Sequence, residues 1–242
     1  MSYLIIVILD ALIAIHEFGH LLAAKGCGIP IARFSVGFGP KLVGWTHRQT
    51  DYWLSAVSLG GYVQPGIDED ELGRFPVYKR ILFALGGPVA NIATAFVGLF
   101  PLGIVEFGLD TVDAAVFATT QVGITAQQLA SAVSALFVEP IQVSGIVGIV
   151  ALGGSQFGST VAGALTFSVL INMNLAVLNL LPLPPLDGGR ILFCLLEKVY
   201  RPPVRLQAPA ALVGWVLVMA LMVYATIQDI DKLAAGVFSR LS

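Results

Sequence analysis

Charged residues are scarce in this sequence, which has 13 Lys and Arg and 15 Asp and Glu among its 242 residues. They make up 12% of the chain, against about 25% in soluble proteins. Hydrophobic residues make up 57%, and the mean hydropathy is +0.86. The net charge of −2 and the lack of a basic run exclude nucleic acid as the expected partner. This composition predicts a polytopic membrane protein that lies in the lipid bilayer.

Cysteine is nearly absent, with two residues in the whole chain. Cys27 and Cys194 lie far apart and form no C-x-x-C motif, so neither a disulfide framework nor a cysteine zinc site is predicted. The first hydrophobic segment also lacks a charged n-region and a clean small-x-small cleavage site. We therefore expect it to be retained rather than removed as a signal peptide.

Four apolar segments are close to the ~20 residues that a helix needs to cross a bilayer. They predict a mainly α, polytopic membrane protein that forms a single domain over residues 1–242. The predicted transmembrane helices cover residues 3–24, 81–105, 160–181 and 208–227.

The segments between these helices differ in character. Residues 32–64 alternate aromatic and β-branched residues with glycine-containing turns, which predicts a small membrane-associated β-element after the first helix. Residues 66–79 are polar, which predicts a solvated linker. Residues 106–139 have room for one or two short helices, and the apolar, glycine-rich residues 141–154 suit a re-entrant or interfacial segment.

Two of the three histidines form an H-E-x-x-H motif, His16-Glu17-Phe18-Gly19-His20, inside the first apolar segment. Histidines four apart lie ~40° apart around a helix, so both imidazoles can bind one metal ion. Glu17 is then placed to hold a water without being a ligand. Catalytic zinc sites have three protein ligands and one open position, and a nearby carboxylate can take the proton of the bound water.

The alternative interpretation of this motif is structural. The two histidines would be hydrogen-bonded core residues, and the match to H-E-x-x-H would have arisen by chance. Ionisable side chains inside a membrane span are costly unless they bind a metal or face water, so they are functional by default. The motif also holds two of the three histidines in the chain. The sequence therefore favours a zinc site with one Zn²⁺ per chain.

A third ligand is predicted from the end of the third apolar segment. Pro182, Pro184 and Pro185 cannot continue a helix, so the backbone is broken at membrane depth, which is tolerated where the protein lines a cavity. Asp187 follows directly and would complete a His-His-carboxylate set. Leu-Asp-Gly-Gly is also a common turn sequence, but the break and the missing ligand favour the functional interpretation.

The positive charges predict an orientation in the membrane. Eleven of the 13 Lys and Arg fall within residues 25–80 and 190–205, and two, Lys232 and Arg240, lie near the end of the chain. By the positive-inside rule, the two basic regions are cytoplasmic and both termini are outside. Both stretches that carry metal ligands then approach the membrane from the cytoplasmic side.

Several further motifs occur in a recognisable order along nearly the whole chain. With the H-E-x-x-H motif, these are Gly37-Phe38-Gly39-Pro40, Leu59-Gly60-Gly61-Tyr62-Val63, Gly86-Gly87-Pro88-Val89-Ala90-Asn91, Val143-Ser144-Gly145-Ile146-Val147-Gly148-Ile149 and residues 179–190. In these motifs the sequence resembles the site-2 protease family of intramembrane zinc metalloproteases, specifically its RseP-like branch.

The resemblance implies roles for individual residues. His16, His20 and Asp187 would be the zinc ligands, Glu17 the general base and acid, and Asn179 a residue that binds the substrate backbone. The β-element would present the substrate, and we expect an edge strand within residues 32–64 to pair with it. Residues 52–58 are the part of the β-element in which we expect this edge.

The resemblance also implies the substrate and the location. Substrates would be single-span membrane proteins of the anti-sigma factor or remnant signal peptide type, cleaved within or near their transmembrane segments in a prokaryotic plasma (inner) membrane. Family members commonly carry PDZ domains between the second and third spans. Residues 106–139 are too few for one, so we expect a branch that lacks a PDZ domain.

Two other functions compete with the peptidase. A membrane metal transporter would need further ligands along a path, but Asp10 is the only acidic residue of the predicted spans outside the motif. A catalytically inactive substrate-binding homologue often loses the glutamate or a ligand, whereas this chain keeps all four groups. The sequence therefore predicts a zinc-dependent intramembrane endopeptidase.

Overall fold

A computed structural model of the chain describes residues 2–135 and 160–199, together with scattered helical positions between residues 212 and 228. In chain order its elements are α1 (Ser2–Cys27), β1 (Ile31–His47), β2 (Thr50–Pro65), α2 (Glu69–Gly73), α3 (Val77–Phe107), α4 (Thr111–Ala135), α5 (Val161–Asn179) and α6 (Asp187–Val199). The predicted fold class, mainly helical with a small sheet after the first helix, is confirmed.

In the described part of the chain, three helices are long and apolar enough to cross a membrane. They cover Ile6–Cys27, Val77–Phe107 and Ala162–Asn179, and so correspond to the first three predicted spans. The fourth, at residues 208–227, falls largely outside the described residues, as does the predicted re-entrant segment at 141–154. The count of four spans therefore stays a prediction.

The central element is α3, which contacts α1, α4, α5 and α6. Two prolines lie inside this helix without ending it, since α3 runs from Val77 through Pro88 and Pro101 to Phe107. It ends where Gly108 takes a left-handed conformation, with φ of 64°, that favours glycine. This length lets one helix contact the metal-binding region at one end and α4 at the other.

Two glycines allow α1 and α3 to cross at close range. A Cβ on Gly86 would lie 2.5 Å from the Gly19 carbonyl oxygen, and one on Gly19 would collide with the Gly86 carbonyl. Small residues permit such close approach of membrane helices, where association depends on packing. The crossing brings the H-E-x-x-H turn of α1 directly against α3.

The prediction of one or two short helices after α3 is wrong, since α4 is a single helix of 25 residues. Its Thr119 and Ser131 hydroxyls donate to carbonyls one turn earlier, so these polar side chains do not interrupt the helix. Its apolar residues pack against α3 and α5. Buried residues of this core are Ala95, Leu99, Leu102, Ala118, Val169 and Met173.

A second core joins α1 to the β-element and to α3. Its buried residues are Leu21, Ala24, Cys27, Ile29, Ile31 and Phe83, and side chains of β1, β2 and α2 pack against them. The predicted linker at residues 66–79 therefore contains the short helix α2 and the start of α3. This core fixes the sheet beside the H-E-x-x-H turn.

The sheet is more folded than a simple hairpin, because β1 and β2 both change register along their length. Residues 41–47 pair antiparallel with residues 50–55, across the turn at Arg48. Residues 31–36 pair antiparallel with residues 61–65 and also lie beside residues 51–54, running in the same direction. The order across the sheet is therefore 61–65, 31–36, 50–55 and 41–47.

This order corrects the expectation of a pairing edge along residues 52–58 for the first part of that segment, residues 52–54. Tyr52, Trp53 and Leu54 have a strand partner on each side, whereas residues 61–65 have one on a single side among the described strands. The edge near α1 is therefore the last part of β2. A mistake of this kind arises because strand order depends on pairing between distant residues, which alternation along one strand does not encode.

Candidate metal centre

Three predicted metal ligands meet in the structure. The Nε2 atoms of His16 and His20 lie 3.2 Å apart, and each lies 3.2 Å from Asp187 Oδ2. All three side chains are buried. Residues from the first helix and from the start of α6, separated by more than half of the chain, thus form one cluster.

The geometry of this cluster fits zinc. Metal–ligand distances of about 2.0–2.1 Å at a tetrahedral site place neighbouring ligand atoms about 3.3 Å apart. The three distances of 3.2 Å match that spacing. Two imidazoles and one carboxylate form a donor set typical of catalytic zinc, which leaves the fourth position for water or substrate.

The hydrogen bond made by His20 assigns its tautomer. His20 Nδ1 lies 2.8 Å from the Phe83 carbonyl oxygen, which can only accept, and 3.3 Å from the backbone nitrogen of Gly87, which can only donate. The shorter contact favours the tautomer in which Nδ1 carries the proton and donates it to Phe83. The lone pair of Nε2 is then directed at the other ligand atoms. A second partner of this kind orients a metal-binding imidazole and raises its basicity.

A glycine leaves the surface of α3 without a side chain where this surface faces the two imidazoles. A Cβ on Gly87 would lie 2.5 Å from His16 Nε2 and would also collide with the His20 ring. Gly87 is one helical turn from Phe83, so the Phe83 carbonyl that accepts from His20 and the position without a side chain lie on one face of α3. The glycine pair thus has two roles, since Gly86 permits the helix crossing and Gly87 leaves room for the ligands.

Asp187 owes its position to the predicted break in the chain. Helix α5 ends at Asn179, and α6 begins at Asp187 after the proline-containing segment. An ion pair between Arg80 of α3 and Glu197 also ties α6 to α3.

The two remaining predicted site residues lie beside the cluster. Asn179 Nδ2 is 3.5 Å from His16 Nε2, at the limit of a hydrogen bond. Glu17 lies against the edge of the sheet, where a Cβ on Gly61 would come 3.1 Å from Glu17 Cγ. Asp10, the acidic residue of the predicted spans outside the motif, has a buried Oδ1 without a hydrogen-bond partner among the described residues.

The sequence interpretation missed the contribution of α3 to this centre. Phe83, Gly87 and Asn91 follow one another at intervals of four, and all three contact the histidine rings. In the sequence, Gly87 and Asn91 belong to a motif that carries the resemblance, and no role at the metal centre is predicted for them. The spacing of four is the signal that could have placed them on one face.

Comparisons with known proteins agree with this geometry. The model of Peptidase family M50 matches residues 4–223. Proteins of Synechocystis and Campylobacter jejuni, both named "Putative zinc metalloprotease", are 25% and 26% identical to this chain. The first match covers 92% of both proteins, and the second covers 94% of this chain and 92% of the relative.

A shorter match gives higher identity. Protease RseP of Yersinia pestis is 36% identical over 111 residues, which cover 41% of this chain and 25% of that protein. The two long alignments extend over 337 and 340 residues, more than the 242 of this chain, so those relatives contain residues that have no counterpart here. Since the family model covers most of its length, the chain belongs to Peptidase family M50, the site-2 protease family of zinc metalloproteases.

Proposed function

We propose that this integral membrane zinc metalloendopeptidase cleaves peptide bonds within or near the transmembrane segments of single-span membrane proteins. The substrates would be of the anti-sigma factor or remnant signal peptide type. One observation carries the proposal, namely that two of the three clustered donors, His16 and His20, lie on a helix long and apolar enough to span a membrane. A peptide bond that reaches this cluster must come from within or beside the bilayer.

We assign His16, His20 and Asp187 as the ligands of one zinc ion. Zinc in such a site supplies a Lewis acid that makes water acidic near neutral pH and polarises a substrate carbonyl. The matched spacing of the three donor atoms supports the assignment, as does the proton on His20 Nδ1, which leaves Nε2 free to bind.

Glu17 is the proposed general base and acid. It follows a ligand on the same helical turn and is not one of the clustered donors, so its carboxylate stays available for proton transfer. It would take the proton of the attacking water and return it to the amine that leaves. Its contact with Gly61 places this carboxylate next to the strand edge on which we expect the substrate to lie.

The substrate must unwind before it is cut, because a helix hides its carbonyls in internal hydrogen bonds. In lipid, the freed N–H and C=O groups need new partners. Residues 61–65 have unpaired backbone groups on one side among the described strands, and strand addition there would satisfy them. Asn179, beside His16, would bind one more backbone group near the scissile bond.

Space is available along this path. A cavity of about 700 Å³ lies between the end of β2, α3 and α6. Gln64 and Pro65 of the strand edge line it together with Phe83 and Leu186, which adjoin the metal centre, although none of the three clustered donors lines it. An extended chain that pairs with residues 61–65 would enter this cavity beyond the cleavage site.

The proposed arrangement is a single domain with four spans, both termini outside and the active site toward the cytoplasm of a prokaryotic cell. It rests on the positions of the basic residues. Cysteines placed at Arg48 and Arg201 should react with membrane-impermeant reagents from the cytoplasmic side, and one at Ser242 from outside. Labelling of all three from one face would contradict this topology.

The two competing functions gain no support. A family of zinc metalloproteases does not favour a transporter, and an inactive homologue would not need the complete set of Glu17 and three clustered donors. The test is incubation of the detergent-purified protein with a model transmembrane substrate. Cleavage that stops on chelation and returns with zinc is expected, whereas cleavage unaffected by a chelator that removes the metal would refute the proposal.

A further inference from the structure

A buried asparagine on α3 faces the metal centre with part of its hydrogen-bonding capacity unused. The side chain of Asn91 is fully buried, and its amide Nδ2 lies 3.0 Å from His16 Nδ1. Its Oδ1 is also buried and has no hydrogen-bond partner among the described residues. Buried polar atoms are nearly always paired, so this oxygen needs an explanation.

The protonation of His16 provides one. A histidine that binds a metal through Nε2 carries its proton on Nδ1, and that proton needs an acceptor. An amide oxygen accepts, whereas an amide nitrogen only donates. Rotating the Asn91 amide by 180° exchanges the two atoms without changing the shape of the side chain. It would pair the amide oxygen with the His16 proton, and Nδ2 would take the position at which Oδ1 now has no partner among the described residues.

We propose that Asn91 is a positioning residue of the metal centre, with Oδ1 accepting the Nδ1 proton of His16. It does for His16 what the Phe83 carbonyl does for His20. The two acceptors are eight residues apart on α3, with Gly87 between them, so a single helix face orients both imidazoles. The proposal rests on the proposed role of His16 as a zinc ligand.

A second buried asparagine holds the first in place. Asn172 of α5 is 1% exposed, and its Nδ2 donates to the backbone oxygen of Asn91 over 2.8 Å. This bond fixes α5 to α3 at the residue that faces His16. The support of one zinc ligand on α1 therefore extends through α3 to α5, and all three helices contribute to it.

The experiment measures zinc affinity rather than proteolysis, by competition between the purified full chain and a chelator of known affinity. Asn91→Leu removes the acceptor and should weaken zinc binding about 10–100-fold, the usual effect of losing such a partner. Asn91→Asp keeps an acceptor oxygen in a side chain of the same shape and should retain at least the original affinity. Asn174→Leu is the matched control, because Asn174 bonds to the Leu170 carbonyl of its own helix.

The outcomes separate the possible errors. Unchanged zinc affinity in Asn91→Leu would overturn the proposal. So would an Asn91→Asp protein that loses as much affinity as the leucine variant, since the amide nitrogen would then be the group that matters. If Asn91→Leu does not fold, the aspartate variant alone decides. His16→Ala serves as the reference, and if it keeps its zinc, the ligand assignment fails instead of the role of Asn91.

Discussion

The metal centre and the β-element lie side by side, but they are built in different ways. At the metal centre, His16, His20 and Asp187 are buried and in mutual contact, and a backbone carbonyl orients one of the rings. In the sheet, large side chains such as Trp45 and Val57 are more than half exposed, and residues 61–65 leave backbone groups unpaired on one side. The first region is buried and closely packed, and the second has a strand edge that is open to a partner.

This difference indicates a division of labour between zinc chemistry and substrate handling. Changes near the ligands should alter zinc affinity and activity together. Changes at the strand edge should alter cleavage and leave zinc unchanged. Substitutions in each region test whether zinc binding and cleavage separate in this way.

The largest effect is expected from Gly87→Ala. The added Cβ would lie 2.5 Å from His16 Nε2 and would collide with the His20 ring, so the imidazoles must move apart. Zinc should be lost from the purified protein, together with all activity, as measured by metal analysis. Gly123→Ala on α4, where an added Cβ meets no atom within 4 Å, is the control and should keep both. A Gly87→Ala protein with full zinc would show that the ligands are less tightly confined than the structure indicates.

Replacement of Asp187 by Ala should also weaken zinc retention and abolish cleavage. The remaining ligands would be two neutral imidazoles, and loss of the anionic donor removes most of the attraction for a divalent cation. Metal analysis after dialysis is the measurement. Undiminished zinc affinity would point to another third ligand, and Glu17 would be the first to test.

Proline substitutions along the sheet should slow cleavage without removing zinc. Proline has no N–H, so single prolines at residues 61–64 should remove donors from the proposed substrate edge. Because the direction of the N–H groups alternates, the loss should be uneven between neighbouring positions. Prolines at residues 43–46, on the opposite edge of the sheet, form the control. If folded variants of both edges cleave at the original rate, strand addition is wrong.

The smallest effect is expected from changes in the sequence of the substrate. A transmembrane segment that contains Gly, Pro or Asn unwinds more easily than a uniform Leu segment and should be cleaved several-fold faster. Paired substrates that differ only at these positions would be compared in the same detergent. Equal rates would indicate that unwinding does not limit cleavage.

The contrast between the two regions also explains what the sequence could predict. His16 and His20 could be identified as metal ligands because their four-residue spacing on a helix is a local property of the sequence. Asp187 could be identified because prolines mark the break in the helix before it. The edge of the sheet was misplaced because residues 31–36 lie between two parts of β2, an arrangement that local alternation does not specify. The length of α4 was underestimated because hydroxyls bonded to their own helix look polar in sequence but do not end it.

The most direct test of the central claim is the Glu17→Gln variant, with zinc content and cleavage measured on the same preparation. Glutamine keeps the shape of the side chain but cannot take a proton from water, and Glu17 is not among the clustered donors. The account predicts about one zinc per chain and no detectable cleavage of a model transmembrane substrate. Cleavage near the original rate would contradict the role of Glu17, and loss of zinc would contradict its position outside the ligand set.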